Sequence, residues 1–220
     1  MAKKILIIDG GPRKKFNLAQ LLETFTEGVK SVDASIEVEH VRLYDMDYKG
    51  CVSCLGCKLA GGKNEGRCVR KDGLSEVLSQ LDTIDGLAIG SPIYYGTITG
   101  QLQAALERMT YPYLSYNKMG FVTKNRVPTA TFYTMNATPE QAAGQVLPGV
   151  EKVEWVIAGT WSQPERICAF NTCQVRDYSK YDLAAFSPEA KQAWHDAHWE
   201  EDRQKSFQAG VNMANKILAK

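Results

Sequence analysis

Residues 4–22, KILIIDGGPRKKFNLAQLL, restrict the fold more than any other stretch of the chain. Ile5, Leu6, Ile7 and Ile8 form an unbroken apolar run that ends at Asp9, the pattern of a strand buried on both faces. Gly10-Gly11-Pro12 forces a turn. Asn17 is placed to cap a helix whose apolar positions, Leu18, Leu21, Leu22, Phe25 and Val29, fall on one face. A strand feeding a helix through a glycine turn aims backbone N–H groups and the helix dipole at one spot. Arg13, Lys14 and Lys15 add positive charge there. The stretch predicts an anion site, with a phosphate as the ligand.

The rest of the chain repeats the alternation of strand and helix. Residues 36–43 have a period near two and predict a second strand, with His40 on its polar, solvent-facing side. Residues 73–81, with Leu74, Val77, Leu78 and Leu81, predict a helix; residues 86–90 predict a short buried strand; residues 100–109 predict another helix. An aromatic and basic connection covers 111–126, a fourth strand 127–133 and a fifth 166–170. Thr138-Pro139-Glu140-Gln141 has the composition of a helix start with a capping box, and Ser187-Pro188 opens a long last helix toward Leu218. Such alternation predicts a parallel sheet covered by helices on both faces.

The totals exclude several classes. A chain of 220 residues, 44% hydrophobic and 23% charged, suits one α/β domain with a substantial core. A formal net charge of +1 lacks the basic footprint of a nucleic-acid binder. The apolar run after Lys3-Lys4 is too short for a signal peptide, and no span approaches membrane length, so the expected location is cytoplasmic. In that compartment the six cysteines are expected as thiols or metal ligands rather than disulfides.

The first loop has neither G-x-G-x-x-G nor a G-K-[ST] ending, which disfavours an adenine dinucleotide or a nucleoside triphosphate on this turn. In open α/β sheets the ligand sits beyond the carboxyl ends of the strands, at the switch point. That rule brings together residues 10–17, 91–97 and 134–138, the last contributing Thr134, Met135 and Asn136. Ser91-Pro92-Ile93-Tyr94-Tyr95-Gly96 sets two aromatic rings beside a glycine, which suits a flat heteroaromatic ligand. A ring-plus-phosphate ligand fits both loops.

Ile8-Asp9-Gly10-Gly11-Pro12-Arg13 with Asn17, followed by Gly90-Ser91-Pro92-Ile93-Tyr94-Tyr95-Gly96 and Gly100-Gln101-Leu102, resembles the flavodoxin-like NAD(P)H-dependent FMN reductase family. It is similar in particular to the branch that includes iron–sulfur flavoproteins. Residues 171–182 are similar to a late segment of some members. The resemblance implies a doubly wound five-stranded parallel sheet of order 2-1-3-4-5. It implies one FMN-binding domain over 1–220 with a C-terminal helical extension. It also implies that Gly11, Pro12, Arg13, Lys15, Asn17 and Leu18 wrap the FMN phosphate, and that Pro92, Ile93, Tyr94, Tyr95 and Gly96 line the isoalloxazine ring. The family usually has Ser where this chain has Gly11 and Thr where it has Leu18. Each change removes a hydroxyl worth about 1 kcal/mol to the phosphate, so weaker FMN retention is expected. Asp9 would repel a phosphate if it pointed inward.

Cys51, Cys54 and Cys57 have the C-x-x-C-x-x-C spacing of [4Fe–4S] ligands, and Cys68 follows after ten intervening residues, a longer last gap than the resembled branch has. A cluster, a zinc site and free thiols all stand open, with free thiols preferred. Cys168 and Cys173 read as buried or inert thiols, and His195, His198 and Asp202 as one face of a surface helix.

The resemblance implies an oxidoreductase in which FMN takes a hydride from NADH or NADPH and passes electrons to a quinone, a flavin or a similar small acceptor. It implies assembly as a homodimer or homotetramer, with Tyr178 or Tyr181 near a flavin site, and no nucleic-acid or membrane partner. Two alternatives are an iron–sulfur flavoprotein carrier exchanging electrons with ferredoxin, and a non-catalytic binding protein that has lost FMN.

Overall fold

The computed structural model describes residues 3–219. Strand β1 (Lys4–Asp9) leads through the glycine loop into helix α1 (Asn17–Val32), and β2 (Glu37–Arg42) follows. A long loop carrying the first four cysteines reaches the short helix α2 (Ser75–Gln80), then β3 (Gly86–Pro92) and α3 (Gly100–Thr110). The connection at 111–126 is not a plain loop. It holds a 3-10 turn at Tyr111–Tyr113 and a two-stranded antiparallel hairpin, β4 (Leu114–Ser115) with β5 (Gly120–Phe121). Strand β6 (Thr129–Thr134), helices α4 (Pro139–Gln145) and α5 (Leu147–Thr160), strand β7 (Glu165–Ala169) and helix α6 (Pro188–Leu218) complete the order.

The main sheet is β2-β1-β3-β6-β7, with all four pairings parallel. With the small hairpin set aside, this is the order 2-1-3-4-5, the expected doubly wound topology. Its central strands are sealed on both sides. Ile5 and Ile7 pack with α1 and α6 through Leu21, Phe25, Met213 and Ile217. Leu6 and Ile8, one residue out of phase, pack toward Leu102, Met109 and Trp161. Edge strand β2 is polar, and Lys4 pairs with its Glu37 (3.0 Å) and Glu39 (2.6 Å).

Helices α4 and α5 follow the start predicted at Thr138, whose capping box is complete, but the sequence reading does not separate them. Pro148 is the cause. It has no N–H to continue the ladder from α4, and it sits comfortably in the first turn of a new helix. Ser187 caps α6 as expected, its hydroxyl accepting from the Ala190 N–H at 3.1 Å.

Helix α6 is no loose extension. It lies against α1 so closely that a Cβ on Gly28 would sit 2.0 Å from the Phe207 carbonyl oxygen, and one on Gly210 would sit 2.1 Å from that of Phe25. Gly28→Ala and Gly210→Ala must each push the helices apart, and each is expected to cost about 1–3 kcal/mol in urea unfolding. Gly144 is the control. It lies inside α4 with open space around it, so Gly144→Ala is expected to raise stability by about 0.5–1 kcal/mol.

Candidate functional site

The loops that follow β1, β3, β6 and β7 meet at the carboxyl edge of the sheet. They enclose an open cleft of about 220 Å³, lined among others by Gly11, Pro12, Arg13, Tyr94, Asn136 and Gln174.

The first loop is held from behind. Asp9 is 1% exposed, and its carboxylate accepts the Gly11 N–H at 2.7 Å and Arg42 Nη1 at 2.8 Å, with His40 Nε2 3.3 Å away. Arg42 also reaches the Gly11 carbonyl at 3.4 Å. Gly10 donates its N–H to the Gly90 carbonyl and accepts the Thr99 hydroxyl, both at 2.8 Å. The Asp9 charge is thus met by a guanidinium and turned into the loop's backbone, so a phosphate on the front does not face a bare carboxylate. His40 is half-exposed, yet it belongs to this cluster rather than to open solvent.

Asn17 does not cap α1. Phe16 occupies the cap position without a side-chain bond, and Asn17 is the first helical residue, its amide spent on the Cys173 carbonyl at 2.9 Å. The tertiary partner outcompetes the local one. The first-turn N–H groups of α1 therefore face the cleft without a capping oxygen, as an anion site requires. Arg13 donates to the Gln174 carbonyl and covers the Phe16 ring at 4.7 Å.

The missing hydroxyls at Gly11 and Leu18 have one structural cause. A Cβ on Gly11 would lie 2.9 Å from both Asp9 Oδ1 and Leu18 Cδ2. The Leu18 side chain fills the space that a residue with a side chain at position 11 would need, so the two departures from the family pattern accommodate each other.

The loop after β3 supplies Pro92, Ile93 and Tyr94 to the cleft. Tyr94 and Thr97 exchange N–H···O bonds of 2.8 and 3.1 Å around Tyr95 (φ 51°) and Gly96 (φ 78°). Two successive positive φ values are the geometry of a type I′ turn. Gly96 is required there because a Cβ would meet the Gln145 carbonyl oxygen at 2.7 Å. Tyr95 is wholly exposed at the turn's tip, and neither it nor Gly96 lines the cleft wall. Lys15 lies apart as well, in a surface groove with Lys14, Lys30, His40, Arg42 and Arg176.

Thr134, Met135 and Asn136 line the opposite wall, joined by four residues absent from the expected set: Phe16, Thr172, Cys173 and Gln174. The signal for the last three was the segment 171–182, which follows β7 as the other site loops follow their strands. It is stitched to the β6 loop by Asn171 N–H to Ala137 O (2.8 Å) and Thr172 N–H to Met135 O (2.9 Å). Cys173 therefore stands on the cleft wall, with burial pushing its thiol pKa up, while Cys168 lies in β7 and burial pushes it up to about 12. Tyr178 donates no ring to the cleft itself; its hydroxyl accepts the Gln174 N–H at 3.1 Å.

Gln174 Oε1 is buried beside this wall and has no hydrogen-bond partner among the described residues. The uncapped start of α1 and Arg13 suit a phosphate, and Pro92, Ile93, Tyr94 and Asn136 in the same cleft suit a flat ring with hydrogen-bonding edges.

Cys51, Cys54, Cys57 and Cys68 lie on one wall of a second pocket of about 20 Å³, with Arg108, Tyr111 and Pro112. Buried Arg108 organises it: Nε donates to Cys68 Sγ at 3.4 Å, Nη1 to Asp72 at 2.6 Å and to the Lys49 carbonyl at 2.9 Å. Ser53 and Leu55 carry positive φ (53° and 56°), and burial pushes the Cys57 thiol pKa up. The four thiols share a wall but not a cage. Among the described residues no three His, Cys, Asp or Glu side chains are placed to hold a metal ion. His195 and His198 pack against Trp199 and Trp194, and Asp202 is buried, its carboxyl pushed up to about 6.

The model for NADPH-dependent FMN reductases matches residues 3–147. The chain belongs to this family. An iron–sulfur flavoprotein of Archaeoglobus fulgidus is 32% identical over 143 residues, 64% of each chain. The chain spans between about a third and just under two thirds of the length of the curated relatives it matches. The NAD(P)H:quinone oxidoreductase from Methanothermobacter marburgensis superposes with a TM-score of 0.68 at 17% identity, over 96% of this chain and 99% of that one. An FMN-dependent NADH-azoreductase from Bacillus anthracis, solved with FMN, gives 0.64 at 14%, over 97% and 100%. The flavodoxin-like fold is common to them all.

Within the FMN reductase family, the pairing of Gly11 with Leu18 makes a defined prediction. Gly11→Ser alone is expected to lose about 1–3 kcal/mol by overpacking against Leu18 and Asp9. Adding Leu18→Thr should recover part of that loss, and a double-mutant cycle by urea unfolding reads the coupling.

Proposed function

We propose that the chain is an FMN-dependent oxidoreductase that passes electrons from NAD(P)H to a small acceptor such as a quinone or a flavin. One observation carries this reading: a single cleft brings together the N-terminus of α1, whose cap position makes no side-chain bond, Arg13, Pro92, Ile93, Tyr94 and Asn136. FMN, when bound, supplies the redox chemistry. The protein binds, orients and shields it. The first turn of α1, Gly11, Pro12 and Asn17 hold the phosphate, with Leu18 packed beneath. Arg13 and Lys15 supply positive charge to that end, Lys15 from the neighbouring groove. Pro92, Ile93 and Tyr94 form the face on which the ring lies, with Tyr95 and Gly96 in the turn at its rim. Thr134, Met135, Asn136 and Gln174 close the other edge.

The family description and the FMN-bound azoreductase neighbour support this choice of cofactor. The 220 residues act as one FMN-binding domain, α6 included, because α6 shares the α1 side of its core. Assembly as a homodimer or homotetramer belongs to the same reading.

Purified protein titrated with FMN is expected to quench the flavin fluorescence at one equivalent per chain. The loaded protein is expected to bleach with NADPH or NADH and to reoxidise with a quinone. Protein that leaves FMN fluorescence unchanged contradicts the proposal.

A second reading, that of an iron–sulfur flavoprotein carrier, is favoured by the shared wall of Cys51, Cys54, Cys57 and Cys68 and by the curated relatives' names. The thiols as placed do not form a closed ligand set, so a cluster requires the loop at 51–68 to rearrange. Anaerobic purification with iron and sulfide assays decides it. Four irons per chain that disappear in Cys57→Ser support the carrier, whereas none supports the free thiols.

A further inference from the structure

A lysine with no carboxylate partner among the described residues is buried behind the wall of the cleft. Lys191 is 5% exposed and lies in the first turn of α6, where the helix dipole disfavours a cation. Its three donors are met by neutral oxygens. It bonds the Asn136 carbonyl at 3.2 Å and the side-chain oxygens of Asn136 and Asn171, with the Phe186 ring 5.4 Å from its nitrogen. Burial pulls its pKa below the usual lysine range. Two independent costs, desolvation and the dipole, are thus borne by a group whose three bonds go to neutral oxygens.

Its place in the fold explains what the charge faces. Asn136 lines the cleft on the β6 side. Asn171, held at φ 49°, leads directly into Thr172, Cys173 and Gln174 on the β7 side. The Cys173 carbonyl in turn holds Asn17, and the Gln174 carbonyl holds Arg13. One ammonium therefore fastens both walls, and through them the phosphate loop, while its charge stays uncompensated within the protein.

We propose that Lys191 is a positioning residue that clamps the β6 and β7 loops and whose unpaired charge favours the reduced form of bound FMN over the oxidised form. The inference rests on the FMN reading. Two electrons from the reductant and one proton from solvent leave the flavin ring one charge more negative. A fixed cation behind a desolvated wall is weakly screened and stabilises that added charge.

The test measures the dissociation constants of oxidised and dithionite-reduced FMN for the wild type, Lys191→Met, Lys191→Gln and Lys191→Arg. The Met and Gln variants are expected to weaken reduced FMN about tenfold more than oxidised FMN, a fall of about 30 mV in the two-electron potential. Arg, which restores the charge, is expected to recover most of that ratio. Equal weakening of both forms, or a ratio that Arg does not recover, reduces Lys191 to a structural clamp and overturns the inference. Should the Met variant fail to fold, the Gln variant, which retains hydrogen bonds to the loops, decides alone. Wild type that binds no FMN overturns the FMN reading as well; wild type that binds FMN, with an unchanged ratio in Lys191→Gln, overturns only the inference.

Discussion

The buried bond between Asp9 and Arg42 is the interaction on which the cleft depends. Asp9 ends the central strand, 1% exposed, and one carboxylate does three tasks: it fixes the Gly11 N–H, it meets the Arg42 guanidinium from the edge strand, and it lies beside His40. Removing the cation from such a pair leaves a buried charge, at a cost of about 3–5 kcal/mol, so the loop is held far more firmly than its glycines suggest. A rigid loop matters because the anion site is made of backbone. N–H groups cannot be re-aimed by rotating a side chain, and only the path of the chain orients them.

The remainder of the cleft is built outward from that loop by bonds between strand ends. Gly10 is tied to Gly90 on β3, the β6 loop to the β7 loop, and the β7 loop back to Asn17 and Arg13. The circuit closes at the first turn of α1. These bonds tie the walls to one another, and the exposed turn at Tyr95 and Gly96, with two positive φ values, is the part left outside the circuit.

The two-sided core and the caps at Thr138 and Ser187 were legible because each is written in short-range pattern: apolar phase along a strand, or a hydroxyl that accepts the N–H three residues on; the sheet order came from the family resemblance. Asn17 misled for the same reason. A local cap and a tertiary bond to Cys173 use the same side chain, and only the folded chain shows which wins. Asp9 was opaque because its partner, Arg42, is 33 residues away on another strand. The β7 wall was partly legible through the segment at 171–182, but not the role of its residues, since Cys173 has no spacing to distinguish a cleft thiol from a core thiol. The cysteine loop shows the converse. Its spacing reads clearly, and the structure brings all four cysteines to one pocket, yet among the described residues they do not form a ligand set, and Cys68 Sγ accepts from Arg108 instead.

The account stands or falls on where the phosphate of FMN sits. A crystal structure of the FMN complex tests this most directly. It is predicted to show the phosphate over the first turn of α1, within hydrogen-bond distance of the backbone N–H groups of residues 17–19. The ring should lie along Pro92, Ile93 and Tyr94. A phosphate bound elsewhere, for instance in the basic groove of Lys14, Lys15 and Arg176 with the first turn of α1 left to water, would contradict it.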